Sequence, residues 1–285
     1  MIQLVVALVA FLSDIVFARV LIIEDYSKFS LYVMFVSIGV IFSKLGVSET
    51  LLKDLPSSLK NNDIHKRRII YNSYTVVLLA GLLVTIILAI LFIVVYQMSD
   101  FSLLLLLTLI SLVLLECNRS AFQVLNNTFM SLIPHKTIPL LITMGIIYFF
   151  VQNGKLSLSY LTFYYVFSFG VVAIFSTNYL FKKIDLRFKL VNPFRIDKNV
   201  YIEKFYFTGI SMSQILYQRM DLILISLFLP LNNVGIYNPI FKICIVLVLC
   251  QRAINFYFVP KISTSIKNKE KFQSDVTQNV IINSE

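Results

Sequence analysis

The sequence predicts an all-α fold of the polytopic membrane class, a transmembrane helix bundle with about eight spans. Three observations predict this class. Of the 285 residues, 58% are hydrophobic and only 14% are charged, whereas charged residues alone make up about a quarter of a typical soluble domain. Apolar runs of about 20 residues, the length that crosses a bilayer core, recur along the chain. A pattern near the N-terminus also returns near the C-terminus, which suggests a transporter with two equivalent lobes.

The apolar runs follow one another along nearly the whole chain. Their approximate bounds are 1–23, 27–50, 71–97, 101–127, 134–152, 158–181, 205–229 and 235–260. The first run has the position of a signal peptide, but no basic segment precedes its apolar part, and Asp14 and Arg19 replace a small-residue cleavage site. We therefore interpret the first run as a retained transmembrane helix.

The internal repeat consists of an apolar helix, a short polar turn, a tyrosine and a second apolar helix. The first copy reads RVLIIEDYSKFSLYVMFVSIG, and the second reads LFLPLNNVGIYNPIFKICIVL. The two copies align when Tyr26 is matched with Tyr237. Spans 1 and 2 are therefore expected to superpose on spans 7 and 8, with each tyrosine near the start of the even-numbered helix.

These two stretches resemble known sequences. The first is similar to the first helix hairpin of the bacterial polysaccharide (O-antigen) flippase family, part of the multidrug/oligosaccharidyl-lipid/polysaccharide exporter superfamily, which usually reads R-x-L-G-P-x-x-Y-G-x-F. Ile22 and Ser27 stand where that family usually has glycine. The second stretch resembles the family's seventh helix and turn. The resemblance implies two six-helix lobes, with helices 1, 2, 7 and 8 lining the cleft between them.

The repeat and the resemblance together predict the division of the chain. We expect a first six-helix transmembrane lobe over 1–181, a basic cytoplasmic linker over 182–204, the first two helices of a second lobe over 205–262, and a polar cytoplasmic tail over 263–285. A full second lobe would have six helices, so we expect the chain to be a truncated member of the family.

The distribution of lysine and arginine predicts the orientation. Most of the 25 basic residues lie after spans 2, 4, 6 and 8 or in the tail, whereas the alternate turns contain only Lys28 and Lys155. By the positive-inside rule, both termini are cytoplasmic, and the expected location is the bacterial inner membrane. The linker is either a solvated basic loop or an amphipathic segment that contacts anionic lipids.

Charged residues inside the spans are the informative ones, because each costs about 2.5–3.5 kcal/mol at a helix centre. They face a polar interior, form pairs, or extend to the membrane surface. The bases are Arg19, Lys44, Arg119, Arg219, Lys242 and Arg252, and the acids are Asp14, Glu49, Glu116 and Asp221. Arg19, Glu49 and Arg252 lie close enough to span ends for their side chains to reach the surface.

Helical spacing places several polar residues on common faces. Glu116, Arg119, Gln123 and Asn126 share one face of span 4, and Ser211, Gln214, Gln218 and Asp221 share one face of span 7. Such stripes either line a central cavity or hold helices together by hydrogen bonds. The candidate substrate-binding cavity residues are Lys44, Arg219, Lys242, Asp14, Asp221, Glu116 and Arg119.

The predicted function is translocation of a lipid-linked oligosaccharide, a polysaccharide or O-antigen repeat unit, by alternating access. Bases outnumber acids among the charges inside the spans, and cationic side chains suit a diphosphate. We expect the diphosphate to lie among Lys44, Arg219 and Lys242, while Asp14 and Asp221 pair with these bases or carry coupling protons. The expected partners are this lipid-linked diphosphate, anionic lipids, and the polymerase and glycosyltransferases of polysaccharide assembly, with no nucleic acid.

Two alternatives remain open at this point. One is a drug or cation antiporter of the same superfamily, which would centre on carboxylates such as Asp14 and Asp221. The other is a membrane enzyme or a non-transporting partner of polysaccharide assembly, but the sequence has no DxD motif and no phosphate-binding glycine-rich loop. Neither His65 nor His135 has a carboxylate partner in a helical register. Cofactors and metals are not expected, because Cys117, Cys244 and Cys250 fall in apolar runs and lack a Cys/His cluster.

Overall fold

The computed structural model describes residues 2–61, 63–96, 102–150, 156–184 and 198–242. Within these ranges every regular element is a helix. The helices are α1 (Ile2–Val20), α2 (Ile23–Lys44), α3 (Val47–Asn61), α4 (Asp63–Tyr96), α5 (Ser102–Val124), α6 (Thr128–Leu132), α7 (Ile138–Phe150), α8 (Leu158–Lys183), α9 (Lys198–Phe228) and α10 (residues 232–242). A π-helical turn, Ile133–Thr137, joins α6 to α7.

The predicted all-α, polytopic class is confirmed. Among the described residues, five helical segments are long and apolar enough to cross a membrane: Ile23–Lys44, Ile69–Val94, Leu104–Val124, Phe129–Phe150 and Leu158–Lys183. Helices α1, α9 and α10 lie at the other three predicted positions. The protein is therefore a multi-pass membrane protein with a helical bundle.

Helix α5 is the central helix of the bundle. It packs against α2, α3, α4 and α8, and Leu105, Leu109 and Phe122 are fully buried among these neighbours. The opposite environment occurs on α4, where Leu83 and Val94 are 65% and 72% exposed. Large exposed apolar side chains on a helix of this length suit contact with lipid, because lipid tails are as apolar as the side chains.

Helix α3 was not predicted. The sequence analysis extended the second span to residue 50 and treated the following residues as a loop, but α2 ends at Lys44 and α3 begins at Val47. The chain turns between them through left-handed conformations at Leu45 and Gly46, with φ of 44° and 66°. Helix α3 is amphipathic: Val47, Leu51 and Leu55 recur every four residues and are buried.

Helix α9 packs against α2 and α3. A small apolar cluster, Leu31, Met34, Leu222 and Val234, joins α2 to α9 and to the start of α10. Asn238 of α10 donates hydrogen bonds from Nδ2 to Ser30 Oγ (3.0 Å) and Tyr26 Oη (3.4 Å) of α2. The N-terminal parts of α2 and α10, which belong to the two proposed repeat copies, therefore contact each other. Their structural equivalence stays a prediction.

The predicted four-part division of the chain also stays a prediction. The chain separates into two compact units, residues 1–238 and 239–285, and only 239–242 of the second unit are described. The proposed linker begins within α8 and ends within α9, since α8 ends at Lys183 and α9 begins at Lys198. The proposed tail, 263–285, lies outside the described residues.

Candidate functional site

Ionisable side chains within the apolar spans form two groups. The Arg219 group contains Asp14 of α1, Arg219 and Asp221 of α9, and Tyr237 of α10. The Glu116 group contains Lys44 of α2, Glu49 of α3, Glu116 and Arg119 of α5, and His135 of the π-helical turn. Both groups include residues of different helices, so both depend on the packing of the bundle.

In the Arg219 group, one base interacts with two acids. Arg219 interacts electrostatically with both Asp14 and Asp221. The carboxylate of Asp221 accepts hydrogen bonds from the backbone N–H of Leu222 (2.8 Å) and from Tyr237 Oη (2.7 Å). These contacts fix the carboxylate in one orientation. With both acids ionised, the three charged residues have a net charge of −1.

Asp14 connects the Arg219 group to α2 and α8. It interacts electrostatically with Tyr26 of α2 and with Tyr165 of α8. Tyr26 in turn accepts the hydrogen bond from Asn238 at the start of α10. The Arg219 group therefore lies close to polar side chains of α1, α2 and α9. It is also near the contact between the two repeat copies.

In the Glu116 group, one acid is shared among several bases. Glu116 Oε1 lies 2.9 Å from His135 Nε2, and Glu116 Oε2 lies 3.5 Å from Arg119 Nη1. Lys44 also interacts electrostatically with Glu116. The side chain of His135 is 7% exposed and that of Lys44 is 12% exposed, whereas Arg119 is 40% exposed. The group therefore has a buried part and a more accessible part.

A further contact joins the Glu116 group to α9. Glu49 Oε1 lies 3.8 Å from Lys44 Nζ, and it also accepts a hydrogen bond from Ser211 Oγ at 3.3 Å. Ser211 and Arg219 are eight residues apart on α9, which corresponds to about 12 Å along a helix axis. The two groups therefore lie at different levels along α9.

The structure divides the seven predicted site residues. It brings Lys44, Glu116 and Arg119 together in one group, and it brings Asp14, Arg219 and Asp221 together in the other. Lys242 belongs to α10 in the second compact unit, and its place relative to either group is not described. The assignment of these seven residues to a substrate site stays a prediction.

The structure differs from the prediction in which residues belong to the polar stripes of α5 and α9. Helix α5 ends at Val124, and Asn126 lies beyond it with a left-handed φ of 54°, so the stripe of α5 ends at Gln123. On α9, Ser211 and Asp221 both make polar contacts. The side chains of Gln214 and Gln218, which complete that stripe, lie outside the described residues.

Sequence reasoning missed His135. A helical register relates residues of one helix only, whereas the carboxylate partner of His135 is Glu116 on the preceding span. Glu116 and His135 are about equally far from Asn126, where the chain turns between the two spans. Residues equally far from the turn of a helical hairpin lie beside each other, so this spacing is the signal that could have found the pair.

Candidate metal ligands give no comparable cluster. Among the described residues, no group of three or more His, Cys, Asp or Glu side chains could hold a metal ion. Cys117 is buried in α5, and Cys244 and Cys250 lie outside the described residues. The side chains of the two groups are suited to ion pairing, hydrogen bonding and proton binding.

Comparison with known families decides the classification. The family described as "Polysaccharide biosynthesis protein" matches residues 1–264. The chain belongs to this family. The match confirms the resemblance to the polysaccharide flippases of the exporter superfamily, and members of the polysaccharide biosynthesis protein family are generally transporters rather than enzymes. Neither a curated protein nor a solved structure matches the chain.

Proposed function

We propose that this member of the polysaccharide biosynthesis protein family translocates a lipid-linked oligosaccharide across the bacterial inner membrane by alternating access. The membership favours a transporter of polysaccharide precursors. In the proposed orientation both termini are cytoplasmic, because the basic residues then lie on the cytoplasmic side. The lipid tail stays in the bilayer while the diphosphate and the sugar pass through the protein.

The observation that carries the proposal is the placement of buried charge on α9 beside the first lobe. Arg219 and Asp221 lie on a helix that packs against α2 and α3, and Arg219 interacts with Asp14 of α1. Ionisable residues within membrane spans are costly and mark substrate or ion pathways. Their position between α9 and the first-lobe helices suits a path that opens when the two parts move apart.

Two polar contacts of α9 and α10 with the first lobe suit the role of gates. Asn238 binds Tyr26 and Ser30 near the start of α2, and Ser211 binds Glu49 just beyond the end of α2. Tyr26 and Ser30 lie 18 and 14 residues before Lys44, the last residue of α2, so the two contacts are separated by about 21–27 Å at 1.5 Å per residue. Breaking one contact while the other persists would open the path toward one side of the membrane at a time.

One observation favours a second candidate, a cation antiporter of the same superfamily. Arg219 interacts with two carboxylates, so the Arg219 group has a net charge of −1 when both are ionised. A negative group suits a cation or a proton better than a diphosphate. The two candidates differ in whether Arg219 or the acids are essential for binding.

Substitutions of Arg219 at the chromosomal locus test the proposal. We expect Arg219→Ala to abolish export of the polysaccharide with the protein still present in the membrane, and Arg219→Lys to retain part of it, because lysine keeps the charge but loses the planar donor geometry. Asp221→Asn is expected to be milder, since asparagine can still accept the Tyr237 hydrogen bond. Full export by an Arg219→Ala, Lys242→Ala double variant would contradict a charge-based mechanism and favour a packing role for these residues.

A further inference from the structure

The Glu116 and His135 side chains form a buried pair that the proposed transport cycle does not use. The distance of 2.9 Å between Glu116 Oε1 and His135 Nε2 falls in the ordinary range of N–H···O hydrogen bonds. His135 is 7% exposed, and it is held in a π-helical turn with Pro134 before it. Such turns inside membrane helices are frequently found at functional sites.

Lys44 and Arg119 are held less closely than His135. Lys44 Nζ lies 3.8 Å from Glu49, and Arg119 Nη1 lies 3.5 Å from Glu116. Both distances exceed the usual range of hydrogen bonds between nitrogen and oxygen. Both bases can therefore turn toward an anion without losing a short hydrogen bond to these carboxylates.

The charge of this group depends on His135. When the imidazole is neutral, the charges of Lys44 and Arg119 balance those of Glu49 and Glu116. A second proton, on Nδ1 of His135, makes the group positive by one unit while Nε2–H still donates to Glu116 Oε1. Histidine is the side chain whose charge changes in the physiological pH range.

Other charged residues act on His135 or lie on helices packed against its turn. Arg119 and Lys136 interact with it electrostatically in addition to Glu116. The turn also packs against α1, α5, α6, α7 and α8, of which α6 and α7 have no charged residue. The remaining charges of α1 and α8 are Asp14, Arg19, Lys182 and Lys183. Arg19, Lys182 and Lys183 belong to last helical turns, and Asp14 interacts with Arg219.

We propose that Glu116 and His135 form a proton-binding pair, and that protonation of His135 strengthens the binding of a diphosphate by Lys44 and Arg119. The imidazolium neutralises Glu116, so the two bases interact with the diphosphate instead of with this carboxylate. By linkage, the diphosphate also increases the proton affinity of His135 by the same factor. The inference rests on the proposed function, because it takes the anion to be the diphosphate of a lipid-linked sugar.

The test uses the low histidine content of the chain. His65 and His135 are its two histidines, so a His65→Gln background leaves one imidazole to observe by NMR with labelled histidine in lipid nanodiscs. The probe is methylenediphosphonate, a soluble diphosphate analogue. We expect the probe to move the titration midpoint of His135 to higher pH by about one unit, a tenfold linkage.

Variants separate this linkage from a general effect. The shift is expected to vanish in a Lys44→Gln, Arg119→Gln double variant. Glu116→Gln is expected to lower the midpoint without the probe, because the imidazolium loses its anionic partner. Glu24→Gln is the matched control, since Glu24 is an exposed carboxylate that pairs with Lys28 near the other end of α2, and it should leave the midpoint unchanged. If Glu116→Gln fails to fold, Arg119→Gln tests the linkage at a more exposed site.

The inference is overturned if His135 does not titrate over the pH range in which the protein stays folded, or if the probe leaves its midpoint unchanged. The experiment needs no transport. A negative titration together with normal polysaccharide export therefore rejects the proton-linked diphosphate site and leaves the proposed function standing. A positive titration in a protein that does not export polysaccharide supports the site and rejects the transport proposal.

Discussion

At the scale of single residues, Asn118 joins three helices of the first lobe. Its Oδ1 accepts a hydrogen bond from Tyr74 Oη of α4, and its Nδ2 donates to Ser176 Oγ (3.2 Å) and Thr177 Oγ1 (2.9 Å) of α8. Asn118 is 1% exposed on the central helix α5. A buried amide with these partners contributes to stability because its loss removes three hydrogen bonds between helices.

We expect Asn118→Ala to lower the free energy of unfolding by about 1–2 kcal/mol, because three hydrogen bonds between membrane helices are lost and each has a modest value. Unfolding by denaturing detergent measures this change. Asn178→Ala, at an exposed position of α8, is the matched control and should have little effect. Equal stability of the two variants would show that the Asn118 contacts do not stabilise the bundle.

The sequence predicted which residues carry buried charge but not how they group. Lys44, Glu116 and Arg219 lie inside apolar runs of the sequence. A charged residue is easily recognised there, because its neighbours are apolar. Periodicity along one helix could not show that Glu116 contacts His135, since that pair forms between consecutive spans. The grouping of Lys44 with Glu116, apart from Arg219, likewise depends on helix packing that a single sequence does not record.

At the scale of helices, the contact between α2 and α10 depends on a glycine. A Cβ atom added at Gly235 would meet Ser27 Oγ and would lie 3.0 Å from the carbonyl oxygen of Ile23. The two helices therefore approach closely because Gly235 has no side chain. Small residues permit such close backbone approach between membrane helices.

Replacement of Gly235 is expected to destabilise the protein, and a second substitution at the contact is expected to restore part of the stability. We expect Gly235→Ala to cost about 1–3 kcal/mol from overpacking, measured as a lower midpoint of thermal unfolding. Ser27→Gly should restore part of the loss, because it removes the hydroxyl that the new methyl group meets. Gly145→Ala is the control, since a Cβ atom there has nothing within 4 Å. A Gly235→Ala protein as stable as this control would contradict the close approach.

The apolar membrane-spanning helices could be predicted from the sequence more easily than the amphipathic helix α3. Apolar runs of about 20 residues are distinctive in any sequence. Helices lie at the first seven predicted positions, and the eighth is helical as far as it is described, to residue 242. Helix α3 was not predicted because its four charged residues, among 15, leave no apolar run. Its apolar face, Val47, Leu51 and Leu55, appears only when the residues are read with a helical period.

At the scale of the whole molecule, the orientation in the membrane is the simplest prediction to check. We expect a reporter fused at Asn192 to be active in the cytoplasm and a reporter fused at Asn153 to be active outside. The reason is the excess of lysine and arginine in the segments after even-numbered spans. An external Asn192 would overturn the proposed topology.

The central claim is that the protein moves a lipid-linked diphosphate sugar across a bilayer, and a reconstituted flipping assay tests it most directly. Vesicles containing the purified protein are loaded with a fluorescent polyprenyl diphosphate carrying one N-acetylhexosamine, and an impermeant quencher reports how much probe reaches the outer leaflet. The account predicts that wild-type protein exposes the probe faster than protein-free vesicles and that Arg219→Ala abolishes this gain. Equal rates in wild-type and protein-free vesicles would contradict the account.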